Sequence, residues 1–131
     1  MRIKQVSVFV SNEPGRLVDM LKPLIENRIN INALCVADST DFGIVRMVVS
    51  DTDAAMKALQ DAHFTARVND VLAYDMPHVP GGLLTTIVEP LSRAGINLEY
   101  VYAFAGSKEG RARVVFKVRD PNKAEAILGR E

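Results

Sequence analysis

Two short bends carry the residue types best suited to chemistry in this chain. Asn12-Glu13-Pro14-Gly15-Arg16-Leu17 and His78-Val79-Pro80-Gly81-Gly82-Leu83 each set Pro-Gly directly ahead of an apolar stripe of helical spacing. The stripe is Leu17, Leu21, Leu24 and Ile25 in the first case, and Leu83, Ile87 and Leu91 in the second. The first amides of a helix have no intrahelical acceptor, and the helix dipole adds about half a positive charge there. Such a bend suits a carboxylate or another small anion. Glycine permits φ > 0 and close approach to the backbone, and proline stiffens the loop so that less order is lost on binding. This is the chemistry of binding, not of reaction. Paired carboxylates, nucleophile–base spacings and a phosphate-cradling loop are missing from the sequence, so no enzyme is expected. The single cysteine, Cys35, makes neither an internal disulfide nor a Cys-x-x-Cys metal loop, and reads as a small buried hydrophobe. His63 and His78 lack a carboxylate pattern around them, so neither a metal nor a cofactor is expected.

The elements that position these bends come in two copies. The first bend aligns with the second at an offset of 66. Lys22-Pro23-Leu24 through Ile29-Asn30-Ile31 aligns with Glu89-Pro90-Leu91 through Ile96-Asn97-Leu98 at an offset of 67. Val49-Ser50-Asp51 through Leu59 aligns with Val118-Arg119-Asp120 through Leu128 at an offset of 69. Three matches in order, with an offset that only grows, are what a duplicated unit leaves behind. The expected domains are 1–69 and 70–131, joined near Asp70.

Each copy reads strand, helix, strand, strand, helix, and the first adds a closing strand. Val6, Val8 and Val10 alternate with polar or outward positions, and Ile31–Val36 and Ile44–Val49 form a hairpin turning across Asp38–Gly43. Asp51 caps a helix over Thr52–Ala62, and Phe64–Val68 is a fourth strand. In the second copy Gly95 ends a helix in the left-handed conformation, and Asp120-Pro121 is a cap followed by proline at the first helical position. Pro23 and Pro90 lie inside the helical patterns and predict the same kink in both copies. After Leu128 no length remains for a fourth strand, so the second sheet keeps an open edge or borrows a strand from elsewhere. The fold class is α+β: two tandem ferredoxin-like βαββαβ units, antiparallel sheets with helices on one face, the second unit lacking its last strand. Tyr100, Tyr102 and Phe104 form an aromatic row expected in a core or interface, and Arg111, Arg113 and Lys117 a solvated face. A unit of about 66 residues buries little surface alone, so pairing of units or chains is expected.

Composition excludes other classes. Sixteen basic residues balance sixteen acidic ones. No net field therefore draws the chain to nucleic acid or an anionic membrane. The strand Gly110–Phe116 has the glycine and basic residues of an RNA-binding strand but only one ring, Phe116. No apolar run reaches the roughly 20 residues of a spanning helix and no secretory segment opens the chain, so a cytoplasmic location is expected.

A strand, a Pro-Gly-x-Leu bend opening a helix, then Ile-Asn-Ile or Ile-Asn-Leu at the next strand resembles the ACT domain family. The motifs are those of Asn12–Leu17 with Ile29-Asn30-Ile31, and His78–Leu83 with Ile96-Asn97-Leu98. Two copies cover nearly the whole chain. The resemblance implies a stand-alone tandem ACT protein that binds an amino acid without catalysis, acts allosterically, and works as a homodimer or other homo-oligomer, with a metabolic enzyme as a further partner. It also implies that ligand pockets lie where ACT units meet. Where the family has an acid before x-Pro-Gly, this chain has Asn12 and His78; asparagine keeps the ability to cap the helix. In this reading Asn12, Glu13, Pro14, Gly15, Arg16 and Leu17 hold the ligand's head group in one site, and His78, Val79, Pro80, Gly81, Gly82 and Leu83 in the other. Asn30 and Ile31, and Asn97 and Leu98, form the opposite walls and take the ammonium. A valine at Gly15 or Gly81 is expected to block the ligand while the fold survives. The rival readings are a regulatory subunit acting mainly by contact with a metabolic enzyme, and an RNA-binding module.

Overall fold

The computed structural model describes residues 1–38 and 42–129. Among these residues the chain forms strands β1 (Arg2–Ser11), β2 (Ile31–Asp38), β3 (Phe42–Val49), β4 (Thr65–Pro77), β5 (Tyr100–Ala103) and β6 (Arg111–Lys117). The helices are α1 (Arg16–Glu26), α2 (Thr52–Asp61), α3 (Glu89–Arg93) and α4 (Pro121–Leu128), with a π-helical turn, Leu84–Val88, running into α3. The turn expected across Asp38–Gly43 includes residues 39–41, outside the described residues. Two compact units result: Lys4–Asn69, and Asp70–Glu131 together with Met1–Ile3.

In the unit Lys4–Asn69 the strands run in the order β2-β3-β1, with the first residues of β4 beside β1. β1 and β2 are both antiparallel to β3. The alternation of β1 sends Val6, Val8 and Val10 into a core with Met20 and Leu24 of α1 and Leu59 of α2. Each such side chain contributes about 1.5–3 kcal/mol by leaving water. Asp51 caps α2, its carboxylate accepting the Ala54 amide at 3.1 Å. Arg28 (φ +57°) ends α1 and His63 (φ +67°) follows α2, both left-handed. Arg28 aligns with Gly95 (φ +75°), so the same helix stop recurs in both copies.

In the second unit the order is β4-β6-β5, antiparallel throughout. Leu72, Tyr74, Val114 and Phe116 pack beneath Ile87 and Leu91. Asp120 caps α4 by accepting the Lys123 amide at 3.1 Å, with proline at the start of the helix. The paired prolines do not share one geometry. α1 runs through Pro23 without interruption. In the second copy the helix winds wider ahead of Pro90, and the Glu89 amide donates to Leu84 five residues back. The extra residue that moves the repeat offset from 66 to 67 is absorbed here as a π-turn, the usual structural result of inserting one residue into a helix.

No strand follows α4 among the described residues, and the edge of β4 is covered from the other end of the chain. The Ala73 amide donates to the Met1 carbonyl at 2.8 Å, and the Met1 ammonium donates to the Ala73 carbonyl at 3.1 Å. Met1–Ile3 thus occupies the fourth-strand place of the second unit. Arg2 secures it, donating to Glu125 and, at 2.7 Å, to Asn122. The Glu125 side chain is 9% exposed and that of Arg2 36%. Arg2→Ala leaves a mostly buried carboxylate without its cation. Because the pair is partly solvated, the expected loss is about 1–2 kcal/mol, read from urea unfolding.

Candidate functional site

Both bends adopt the conformation their glycines imply. Gly15 has φ +86° and Gly81 has φ +80°. The Arg16 amide donates to Glu13 at 3.3 Å, and the Gly82 amide donates to Val79 at 3.0 Å. The first i,i−4 helical bonds follow from Asp19 to Gly15 (3.0 Å) and from Thr85 to Gly81 (2.9 Å). Helical geometry then leaves the amides of Leu17 and Val18, and of Leu83 and Leu84, without an intrahelical acceptor. Gly15 is itself the N-cap residue of α1, so a side-chain cap there is missing, and Asn12 lies three residues too early to supply one. A Cβ built on Gly15 or on Gly81 meets nothing within 4 Å. Both bends are open to solvent, but a valine at either glycine is strained by the positive φ. Gly15→Val and Gly81→Val therefore perturb the fold as well as any site, contrary to the expectation from sequence.

Beyond this point the copies differ. The first bend borders a hollow of about 210 Å³ on the helix-covered side of its sheet. Val10, Val36 and Val45 form its floor, Leu17 stands at the helix mouth, and Ser11, Asn12, Glu13 and Gly43 complete the lining. Arg16 turns away: its guanidinium lies 5.0 Å from the centre of the Phe64 ring and 3.3 Å from Asp19. Pro14 is exposed and shapes the bend. In the second copy Gly82 is buried, with the Pro77 carbonyl only 2.1 Å from where a Cβ would stand. Its missing side chain serves packing, not ligand approach. Leu83 packs against the core, and His78 donates its backbone amide to Gly110 at 3.0 Å. Val79 is 58% exposed, and Pro80 and Gly81 are exposed.

The expected opposite walls are not brought to the bends. Ser11 of β1 is level with Phe42 of β3, whereas Ile31 of β2 is level with Val49, seven residues further along. That is about 20 Å at a strand's rise. Likewise Pro77 is level with Arg111, but Tyr100, already past Asn97 and Leu98, is level with Lys117. The reason is directional. The strands flanking α1 are parallel, so the helix carries the chain back before β2 begins. Asn30 instead ties strand ends together: its amide donates to the Ser50 hydroxyl at 2.9 Å and its carbonyl accepts the Ser50 amide at 2.9 Å. Ile31 and Leu98 pack against their cores. Asn97 lines a different, larger hollow of about 780 Å³ with Gly95, Arg119, Asp120 and Lys123. Val10, Val36, Gly43 and Val45, which the sequence reading did not bring to the first bend, lie on the strands level with it and line the adjoining hollow. Their signal was the parallel relation of β1 and β2.

Other candidates settle into structural places. Cys35 is half-buried on β2 opposite Arg46, not in the core. Tyr102 is buried and stacks on Tyr100 at 6.4 Å. Arg113 is not simply solvated, lying over Phe104 at 5.5 Å and pairing with Asp75 at 3.3 Å. Lys117 is 3.6 Å from Glu99. Phe116 is fully buried in the core, so the one ring of that strand cannot stack on a base. Among the described residues no three His, Cys, Asp or Glu side chains are grouped to hold a metal ion. No helix is long and apolar enough to cross a membrane.

A family profile described as an ACT domain pair matches residues 1–130. The chain belongs to the ACT domain pair family. Protein BT0572 from Bacteroides thetaiotaomicron is 39% identical, with a TM-score of 0.89 over 98% of this chain and 87% of that one. The regulatory subunit of aspartate kinase from Thermus thermophilus, in ligand-free form, shares the fold at 15% identity and a TM-score of 0.67, over 98% and 91% of the two chains. The same subunit from Thermus flavus does so at 18% identity and a TM-score of 0.66, over 98% and 91%. No curated protein sequence matches the chain. The two ACT repeats recognised from the bends and strand order are thus the architecture of this family.

Proposed function

We propose that this ACT domain pair is a non-catalytic amino-acid sensor that regulates a metabolic enzyme in the cytoplasm as a homodimer, its ligand's carboxylate held at the mouth of α1. The observation that carries this reading is the first bend. There Gly15 is uncovered, amides of the first helical turn have no intrahelical acceptor, and a hollow of about 210 Å³ adjoins them. The fold likeness to subunits described as regulatory supports action on a partner enzyme. A ligand that binds one packing arrangement better than another shifts that equilibrium by its differential affinity. A thermal-shift screen against the twenty amino acids tests the reading. A ligand at 100 times its Kd adds about 2.7 kcal/mol, a rise of several degrees for a chain this size. Flat melting temperatures across all twenty contradict it.

A further inference from the structure

We infer that the second unit carries a binding site for a small phosphate-bearing anion, where Lys108, Arg111 and Arg113 line one hollow of about 470 Å³ with Ser107 and Asp75. Arg111 and Arg113 stand two residues apart on β6, so both project from one face of the strand. Arg113 is held in position: it pairs with Asp75 at 3.3 Å and lies over the Phe104 ring at 5.5 Å. The carboxylate in the lining is thus committed to one cation. Arg111 faces Pro77 across the sheet, a residue without charge, and both Arg111 and Lys108 are exposed. Three cations against one carboxylate make a local excess in a chain whose charges cancel. Gathering like charges is unfavourable, and a bound anion offsets that cost. Guanidinium groups offer paired N–H donors that match phosphate oxygens, lysine adds a point charge, and the Ser107 hydroxyl is a further donor. Three cations suit one phosphate or diphosphate group, not the run of phosphates along a nucleic acid.

The repeat supplies an internal control. Asp75 stands opposite Arg113 as Phe9 stands opposite Ile44, and Pro77 opposite Arg111 as Ser11 opposite Phe42. The fold does not require charge at these places, because the first copy fills them with Phe9, Ile44 and Phe42. The basic hollow belongs to the second copy's sequence and not to the shared scaffold.

The test is isothermal titration of the whole chain with inorganic diphosphate, on the native protein, Arg111→Gln and Lys123→Gln. Arg111 is exposed and bonds to the Lys108 carbonyl through its backbone amide, so its glutamine variant folds. Lys123 lies on α4 beside a different hollow and controls for non-specific attraction. The expected result is one saturable site per chain, weakened about 10-fold in Arg111→Gln and unchanged in Lys123→Gln. Amide shifts over Ser107–Arg113 in ¹⁵N spectra accompany it. No saturable heat at millimolar diphosphate, an equal loss in both variants, or tighter binding of a short single-stranded RNA overturns the inference. Amino-acid sensing at α1 stands or falls separately.

Discussion

Phe116→Ala is expected to cost about 3–5 kcal/mol, the range for emptying a buried aromatic site. Phe116 is fully buried, and its ring stacks on Tyr74 with centroids 5.8 Å apart and planes 22° apart. Around it lie Leu72, Ile87, Leu91 and Val114, so the cavity is lined by side chains already fixed between sheet and helix. Tyr74 also donates its hydroxyl to the Gly129 carbonyl, so loss of its ring partner loosens the anchor of the α4 end. A unit this small has a modest reserve of stability, and the loss removes much of it. Amide hydrogen exchange reads it directly: protection of β4 and β6 amides falls by two to three orders of magnitude. A change below about 1 kcal/mol would mean that this cluster is not the core of the second unit.

Gly82→Ala is the second large effect, at about 3 kcal/mol. The new methyl would sit 2.1 Å from the Pro77 oxygen and 3.2 Å from its carbonyl carbon. These are backbone atoms at the end of β4 and cannot rotate aside. Either the strand end moves or the bend opens, and opening sacrifices the Gly82-to-Val79 hydrogen bond of 3.0 Å. Gly81→Ala next to it should cost only about 1 kcal/mol, because space is free there and only the positive φ is strained. Urea unfolding of the two variants must therefore rank Gly82→Ala as the worse. The reverse order would show that the strand end does not press on the helix start.

The contrast between these neighbouring glycines shows where sequence reasoning reaches. Local signals were legible because they act over a few residues. Asp51 and Asp120 cap helices, Gly95 and the two bend glycines take positive φ, and the growing repeat offset marked an insertion. How that insertion is wound, as a π-turn ahead of Pro90, depends on keeping Ile87 and Leu91 aligned on the core, which periodicity alone does not report. Long-range placement was partly legible. An absent fourth strand left the second sheet's edge unexplained, and Met1–Ile3 fills it through contacts spanning most of the chain. The misplaced walls at Asn30, Ile31, Asn97 and Leu98 came from setting chain proximity above strand direction. Gly81 and Gly82 differ through the Pro77 carbonyl, only five residues back, but its position 2.1 Å from where a Gly82 Cβ would stand depends on how the end of β4 bends into the helix, which residue types alone do not report.

In the proposed function the mouth of α1 holds an amino acid by its backbone amides. Titrating ¹⁵N-labelled protein with L-leucine tests it residue by residue. Saturable shifts of the Gly15, Leu17 and Val18 amides are expected, with Val36 and Gly43 following. Shifts centred on the Gly95–Lys123 hollow, or a spectrum unmoved at millimolar leucine and by every other amino acid, would contradict it.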